Sequence, residues 1–255
     1  MPRPLLDPPC KGWCRDLPGP DKQPGALVAL AWTPHHLDTV YLELSRPPAP
    51  AGGLGLCCMS LALFCFAVSL TLLGWPWSYV AGEGRVLLLS TLMLSAWAGL
   101  CCYRAIVCVP RGLPIRFNRA RRRIYTYNVQ RRRWNPFRRW LVTPVAYDWT
   151  QVRAEAWRQC APLFQGGIVV NWGVSLAIVA PGTHTVIDRF MLCSNDSNEA
   201  AWACICTYMQ QGAHALPPPG PSRAQDEAPW YDLAWRLTPQ VRWPQDMDRE
   251  SRTAP

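Results

Sequence analysis

The residues and motifs of common catalysts are sparse in this sequence. Histidine occurs four times in 255 residues, at His35, His36, His184 and His214. There is no Gly-x-Ser-x-Gly elbow, no Walker loop, no dinucleotide glycine fingerprint and no His-Glu-x-x-His pair. His184 and Asp188 alternate onto one face of an extended chain, about 13 Å apart and without a nucleophile beside them, as an ordinary surface histidine would. Cys10 and Cys14 precede the adjacent pair His35-His36, which cannot easily face one ion. Cys204 and Cys206 fall on a helical stretch, where positions i and i+2 diverge. The expectation is a protein that is not an enzyme and holds neither metal nor cofactor. Twelve cysteines are too small a share for a disulfide framework, and no cleavable signal peptide is read at the start.

Charge is missing where it matters most. Residues 54–77 carry no charged side chain, and after the short loop Ser78–Arg85 a second uncharged run extends from Val86 to Tyr103. Its apolar tail reaches residue 109. A helix needs about 20 apolar residues to cross a hydrocarbon core, and neither run keeps the polar face of a globular helix. The expectation is two transmembrane helices, 54–77 and 86–109, joined as a hairpin. Trp75, Trp77 and Tyr79 stand where an interfacial belt belongs.

Acidic residues are also absent between Glu83 and Asp148, while twelve arginines lie between Arg104 and Arg139. The positive-inside rule keeps that flank, and with it both termini, in the cytoplasm. Three readings of the arginines stand side by side. The first is a topology signal plus ordinary strand surface. The second is a docking face for anionic lipid or an acidic protein, made by Arg119, Arg121, Arg122, Arg123, Arg131, Arg132, Arg133, Arg138 and Arg139. The third, nucleic-acid binding through arginines interleaved with Tyr125, Tyr127, Trp134 and Trp140, is set aside for a chain fixed at a membrane.

Residues 111–212 read as a β-rich domain with a terminal helix. Short strand patterns occur at 114–118, 124–128, 145–149, 152–158, 167–172, 174–180 and 184–190. Trp202, Ile205, Cys206 and Met209 then fall on one helical stripe that ends at Gly212. Seven strands followed by one helix is the element order of a pleckstrin-homology-like fold. Upstream, Val40, Leu42 and Leu44 alternate with Thr39, Tyr41 and Glu43, which predicts that 38–46 adds to the same sheet as an edge strand, before the first span. Eleven of 26 prolines lie in residues 1–50 and eight in 217–255, so segments 1–37 and 213–255 are expected to be loosely built. Trp230, Tyr231 and Trp235 in the tail are candidate partner contacts.

The runs RGLPIRFNRARRRIYTYN (111–128), WNPF (134–137), YDWTQVRAE (147–155) and AWACICTYMQQG (201–212) resemble an uncharacterised family of bacterial two-span membrane proteins carrying one domain of unknown function. The resemblance covers roughly residues 37–216. Members are often encoded near type VI secretion effector genes. The resemblance therefore implies a membrane-anchored immunity or accessory protein in the bacterial inner membrane, with the lipid bilayer and a secretion effector or apparatus protein as partners and no nucleic acid. It implies no catalytic residues, and the oligomeric state stays open.

Overall fold

Alternating apolar residues build most of the body of this protein. A computed structural model describes residues 3–22, 34–45, 52–73, 82–107, 113–130, 141–162, 167–194, 198–217 and 241–255. Among these, nine strands form two antiparallel sheets. Strands β2 (His36–Leu37), β3 (Tyr41–Ser45), β4 (Pro114–Asn118), β5 (Arg123–Gln130) and β6 (Leu141–Asp148) make one sheet in that spatial order. The second has the order β1 (Trp13–Asp16), β7 (Val152–Pro162), β8 (Ile168–Val179) and β9 (Val186–Ser194).

Leu42 and Leu44 of β3, Ile115 and Phe117 of β4 and Ile124 of β5 point to one core, where they meet Leu176, Ile178 and Phe190 of the second sheet. Helix α3 (Asn198–Gln211) closes that core. The predicted stripe Trp202, Ile205, Cys206 and Met209 is buried, but so are Ala203, Cys204 and Tyr208. The N-terminal segment also lies against this helix. The Trp202 indole donates to the Pro18 carbonyl at 2.9 Å, and the Gln210 amide donates to the Pro20 and Lys22 carbonyls. Proline lacks an N–H but keeps its carbonyl, so a proline-rich segment can still act as a set of acceptors. The helix ends at Gly212, whose φ of 102° suits glycine alone among common residues.

Residues 3–22 are therefore packed, where loose structure was expected. Gly12 makes this possible. At φ 78° it approaches β7 so closely that a Cβ would sit 2.4 Å from the Arg158 carbonyl oxygen.

The two uncharged runs become helices α1 (Gly52–Leu73) and α2 (Gly82–Val107), which pack against each other with Gly99 beside Ala62. They leave Leu61, Phe64, Leu87, Met93 and Leu94 63–74% exposed. Two spans were expected. Among the described residues one helical stretch, Gly82–Arg104, is long and apolar enough to cross a membrane, with mean hydropathy 1.8 and only 6% of it buried. The apolar stretch of α1, Cys58–Leu72, is shorter.

The insertion point of these helices organises the molecule. β3 leads to α1 and α2 returns to β4, yet β3 and β4 pair from Tyr41↔Asn118 to Ser45↔Pro114. The strand expected at 38–46 is thus in the sheet. It occupies the second position and not the edge, because His36–Leu37 pairs with its outer side. The expected strands 167–172 and 174–180 are one strand, β8, running through Gly173. That glycine is paired to Trp157 on one side and Ser194 on the other, so it continues the ladder where the sequence pattern suggested a break.

Candidate functional site

Alternation leaves the outer face of the five-stranded sheet with Tyr41, Glu43, Arg116, Asn118, Arg123, Tyr125 and Tyr127. Register brings them together: Glu43 lies opposite Arg116, Arg116 opposite Tyr125, and Asn118 opposite Arg123. The chain's own C-terminal segment lies on this face, as Trp243 followed by helix α4 (Gln245–Arg252) and its exit.

Arg116 is the centre of the arrangement. Its side chain is 3% exposed and its Nε donates to Glu43 Oε2 at 2.7 Å. Its Nη1 donates to Asp248 Oδ1 at 2.6 Å and to the Ser251 hydroxyl at 2.8 Å. The guanidinium also stands 4.8 Å from the Trp243 ring centroid and 5.7 Å from that of Tyr41, within cation–π range. Asn118 is fully buried. Its amide donates to the Ser251 and Thr253 carbonyls at 3.0 and 3.1 Å, and its oxygen accepts the Arg121 backbone N–H. Glu250 receives Arg123 Nη1 and the Tyr125 hydroxyl, both at 2.9 Å. Burial, together with that bond to the Glu250 carboxylate, pushes the Tyr125 phenol up to about 12. Burial, with the nearby Asp248 and Glu43 carboxylates adding to it against Arg116, does the same to Tyr127, whose ring packs on Trp243 at 4.4 Å between centroids.

The docking arginines expected from sequence divide accordingly. Arg121 donates to the Thr253 and Ala254 carbonyls at 3.0 Å each. Arg122, at φ 53° in the hairpin turn, pairs with Asp21 of the N-terminal segment. Arg123 takes Glu250. Arg119 lies beside Gly212, with its Nε buried and without a hydrogen-bond partner among the described residues. These four surround a hairpin tip that begins at the Asn118 end of β4, about 13 Å along the strand from Pro114, where the chain arrives from α2. Three of the four are taken up by the chain's own carboxylates and carbonyls. Arg131, Arg132, Arg133, Arg138 and Arg139, and the tail residues Trp230, Tyr231 and Trp235, lie outside the described residues.

Arg116 and Asn118 were missed by the sequence reading. Their signal is the alternation of Pro114–Asn118, which turns Ile115 and Phe117 inward and leaves two polar side chains on the other face. Nothing local names the distant segment that covers them.

Other polar clusters have structural partners. Asp188 accepts the Tyr147 hydroxyl at 2.6 Å and the Asn128 amide at 3.1 Å, which ties β9 to the first sheet. Asp148 caps the turn that buries Trp149, and its bonds from Thr150 hold its carboxyl below the usual range. Glu155, fully buried, accepts Arg189 at 2.7 Å and the Cys10 backbone N–H at 3.2 Å. Burial pushes the Cys204 and Cys206 thiols up to about 12, which keeps them protonated. No group of three or more His, Cys, Asp or Glu side chains converges as a metal site among the described residues.

Residues 92–255 match the model of a family of unknown function (DUF6708). No curated protein and no solved structure matches the chain. The matched span runs from within α2 through α4. Strands β1, β2 and β3, which precede it, are hydrogen-bonded into the same two sheets.

Proposed function

The chain belongs to this family of unknown function, and from its own residues we propose that it is a membrane-anchored binding protein. In this reading α1 and α2 both cross the bacterial inner membrane and hold both termini on the cytoplasmic, arginine-rich side. The observation that carries the proposal is the insertion point. Two apolar helices with outward-facing Leu, Phe and Met side chains connect adjacent, hydrogen-bonded strands of one sheet. An anchor built this way leaves the domain and returns to it at one place, between two paired strands.

The strands β3–β6, then β7–β9, then α3 follow the order of a pleckstrin-homology-like domain, which supports that fold for the cytoplasmic part. Such a scaffold suits binding to a partner at the membrane. The role assigned to it is immunity or accessory function toward a type VI secretion effector, as the sequence resemblance implies. The alternative of docking to anionic lipid through Arg119, Arg121, Arg122 and Arg123 is disfavoured. Those residues stand at the strand end remote from α2, and three of the four have internal partners.

The test is expression of the full chain in a bacterial host. Alkaline carbonate is expected to leave it in the membrane fraction, and co-expression is expected to relieve toxicity of a type VI effector taken from its own genomic neighbourhood. Release by carbonate overturns the anchor. Undiminished toxicity overturns the immunity role.

A further inference from the structure

We propose that the outer sheet face lined by Arg116, Asn118, Arg123 and Tyr125 is a recognition surface for a short helical peptide carrying paired carboxylates, and that residues 241–255 occupy it as a displaceable internal ligand. The proposal rests on the binding-protein reading above and names the surface and the ligand class.

The contacts are those of peptide recognition. Arg116 reads one carboxylate, Asp248, while Arg123 and Tyr125 together read a second, Glu250. Asn118 and Arg121 make four backbone-carbonyl contacts in the last turn of the helix and just past it, on Ser251, Thr253 and Ala254. Trp243 supplies the aromatic anchor, seated on Tyr127 and on the Arg116 guanidinium. Arginine, tyrosine and tryptophan are the residues that dominate binding hot spots.

The face can also survive being uncovered. The inner face of the same sheet is Leu42, Leu44, Ile115, Phe117 and Ile124 and could not. The outer face is polar and aromatic, and Arg116 keeps its bond to Glu43 when Asp248 leaves.

The occupant has the properties of a ligand. Eight residues are too few for a helix to persist alone in water, so α4 forms on the face that receives it. Only Ser251 of that helix is buried, and the helix meets the face chiefly through polar contacts, the Asp248 and Glu250 ion pairs and the Tyr125 hydroxyl among them. The Trp243 indole N–H and the Tyr127 hydroxyl are buried without partners among the described residues, which costs affinity. Residues 218–240 tether the segment, so a weak intrinsic affinity is raised to high occupancy by effective concentration. A partner helix that presents carboxylates at the same spacing, with Ser or another small residue next to the second, competes directly.

The experiment uses the full chain in detergent, with a protease site inserted within residues 218–240. A fluorescent peptide of residues 241–255 is titrated before and after cleavage, and binding is read by polarisation. The uncut chain is expected to reject the peptide and the cut chain to bind it saturably. Peptides with Asp248→Lys or Ser251→Trp should bind about tenfold or more weakly, since charge-assisted bonds and close contact are lost. Raising salt to about 1 M, where charges are screened within about 3 Å, should weaken binding. These variants sit in the peptide, so none can unfold the protein. A cut segment that never exchanges, equal binding to uncut and cut chains, or equal binding of the Asp248→Lys peptide would overturn the proposal. The assay needs neither membrane nor effector, so failure of the anchoring or immunity reading leaves its outcome unchanged.

Discussion

Replacing Leu42 with Ala should destabilise a domain most of whose other strands, β4 to β9, lie beyond both apolar helices in sequence. Leu42 is fully buried, lies opposite Phe117 in the β3–β4 pair and belongs to the main core. Removing a buried leucine down to Ala costs about 3 kcal/mol, as the sum of lost transfer energy and the cavity left behind. For a domain of this size that lowers the midpoint of thermal unfolding by about 10 °C. The assay is tryptophan fluorescence of the detergent-solubilised full chain on heating. Trp149 and Trp202 report directly, because both are buried in that core with ring centroids 5.6 Å apart. Thr39→Ala, at an exposed position just before the strand, is the control and should move the midpoint by no more than an ordinary surface change, about 0.5 kcal/mol. If Leu42→Ala behaves like Thr39→Ala, β3 is not part of the domain and the insertion-point argument falls.

Three further outcomes follow from the geometry. Burial pushes the Glu155 carboxyl above its usual range, and the opposing pull of the Cys10 N–H and of Arg189 does not cancel it. A carboxyl raised in the folded state contributes stability that is complete below its unfolded pKa, 4.5, and is lost as pH rises through the folded value. Glu155→Gln should therefore remove that part of the fall in melting temperature that sets in as pH rises above about 4.5; an unchanged slope would refute the reading. Gly12→Ala should lift the N-terminal segment from β7 and make buried Cys10 react faster with a thiol reagent, and unchanged reactivity would show that the close approach is not needed. Asp188→Ala leaves the Tyr147 hydroxyl and the Asn128 amide without their acceptor and should cost about 1–3 kcal/mol in denaturant unfolding. A cost near zero would mean that water replaces the carboxylate.

Much of the fold was legible because it is written in local periodicity. Val40, Leu42 and Leu44 announced a strand with one buried side, and Trp202, Ile205, Cys206 and Met209 announced a helix against a core. What was not legible depends on partners distant in sequence. Composition marked residues 3–22 as loose, yet the Pro18 and Pro20 carbonyls are fixed by side chains of α3, a property that proline content does not reveal. Gly173 read as an interruption because a pattern records side chains, while the ladder it continues is made of backbone. The arginines of the 119–123 tip were visible as charge, but their partners Asp21, Glu250, Thr253 and Ala254 come from the two ends of the chain. Charge without a partner in a sequence window is here neutralised by segments a hundred residues away.

The central claim, a β domain held on the cytoplasmic side of a membrane, can be tested with cysteines the chain already has. Cys14 and Cys160 are exposed, on β1 and β7 of the domain. Spheroplasts of a bacterial host expressing the full chain are treated with a membrane-impermeant maleimide, before and after permeabilisation, and the two peptides are read by mass spectrometry. The account predicts labelling of Cys14 and Cys160 only after permeabilisation. Labelling of both in intact spheroplasts would contradict it.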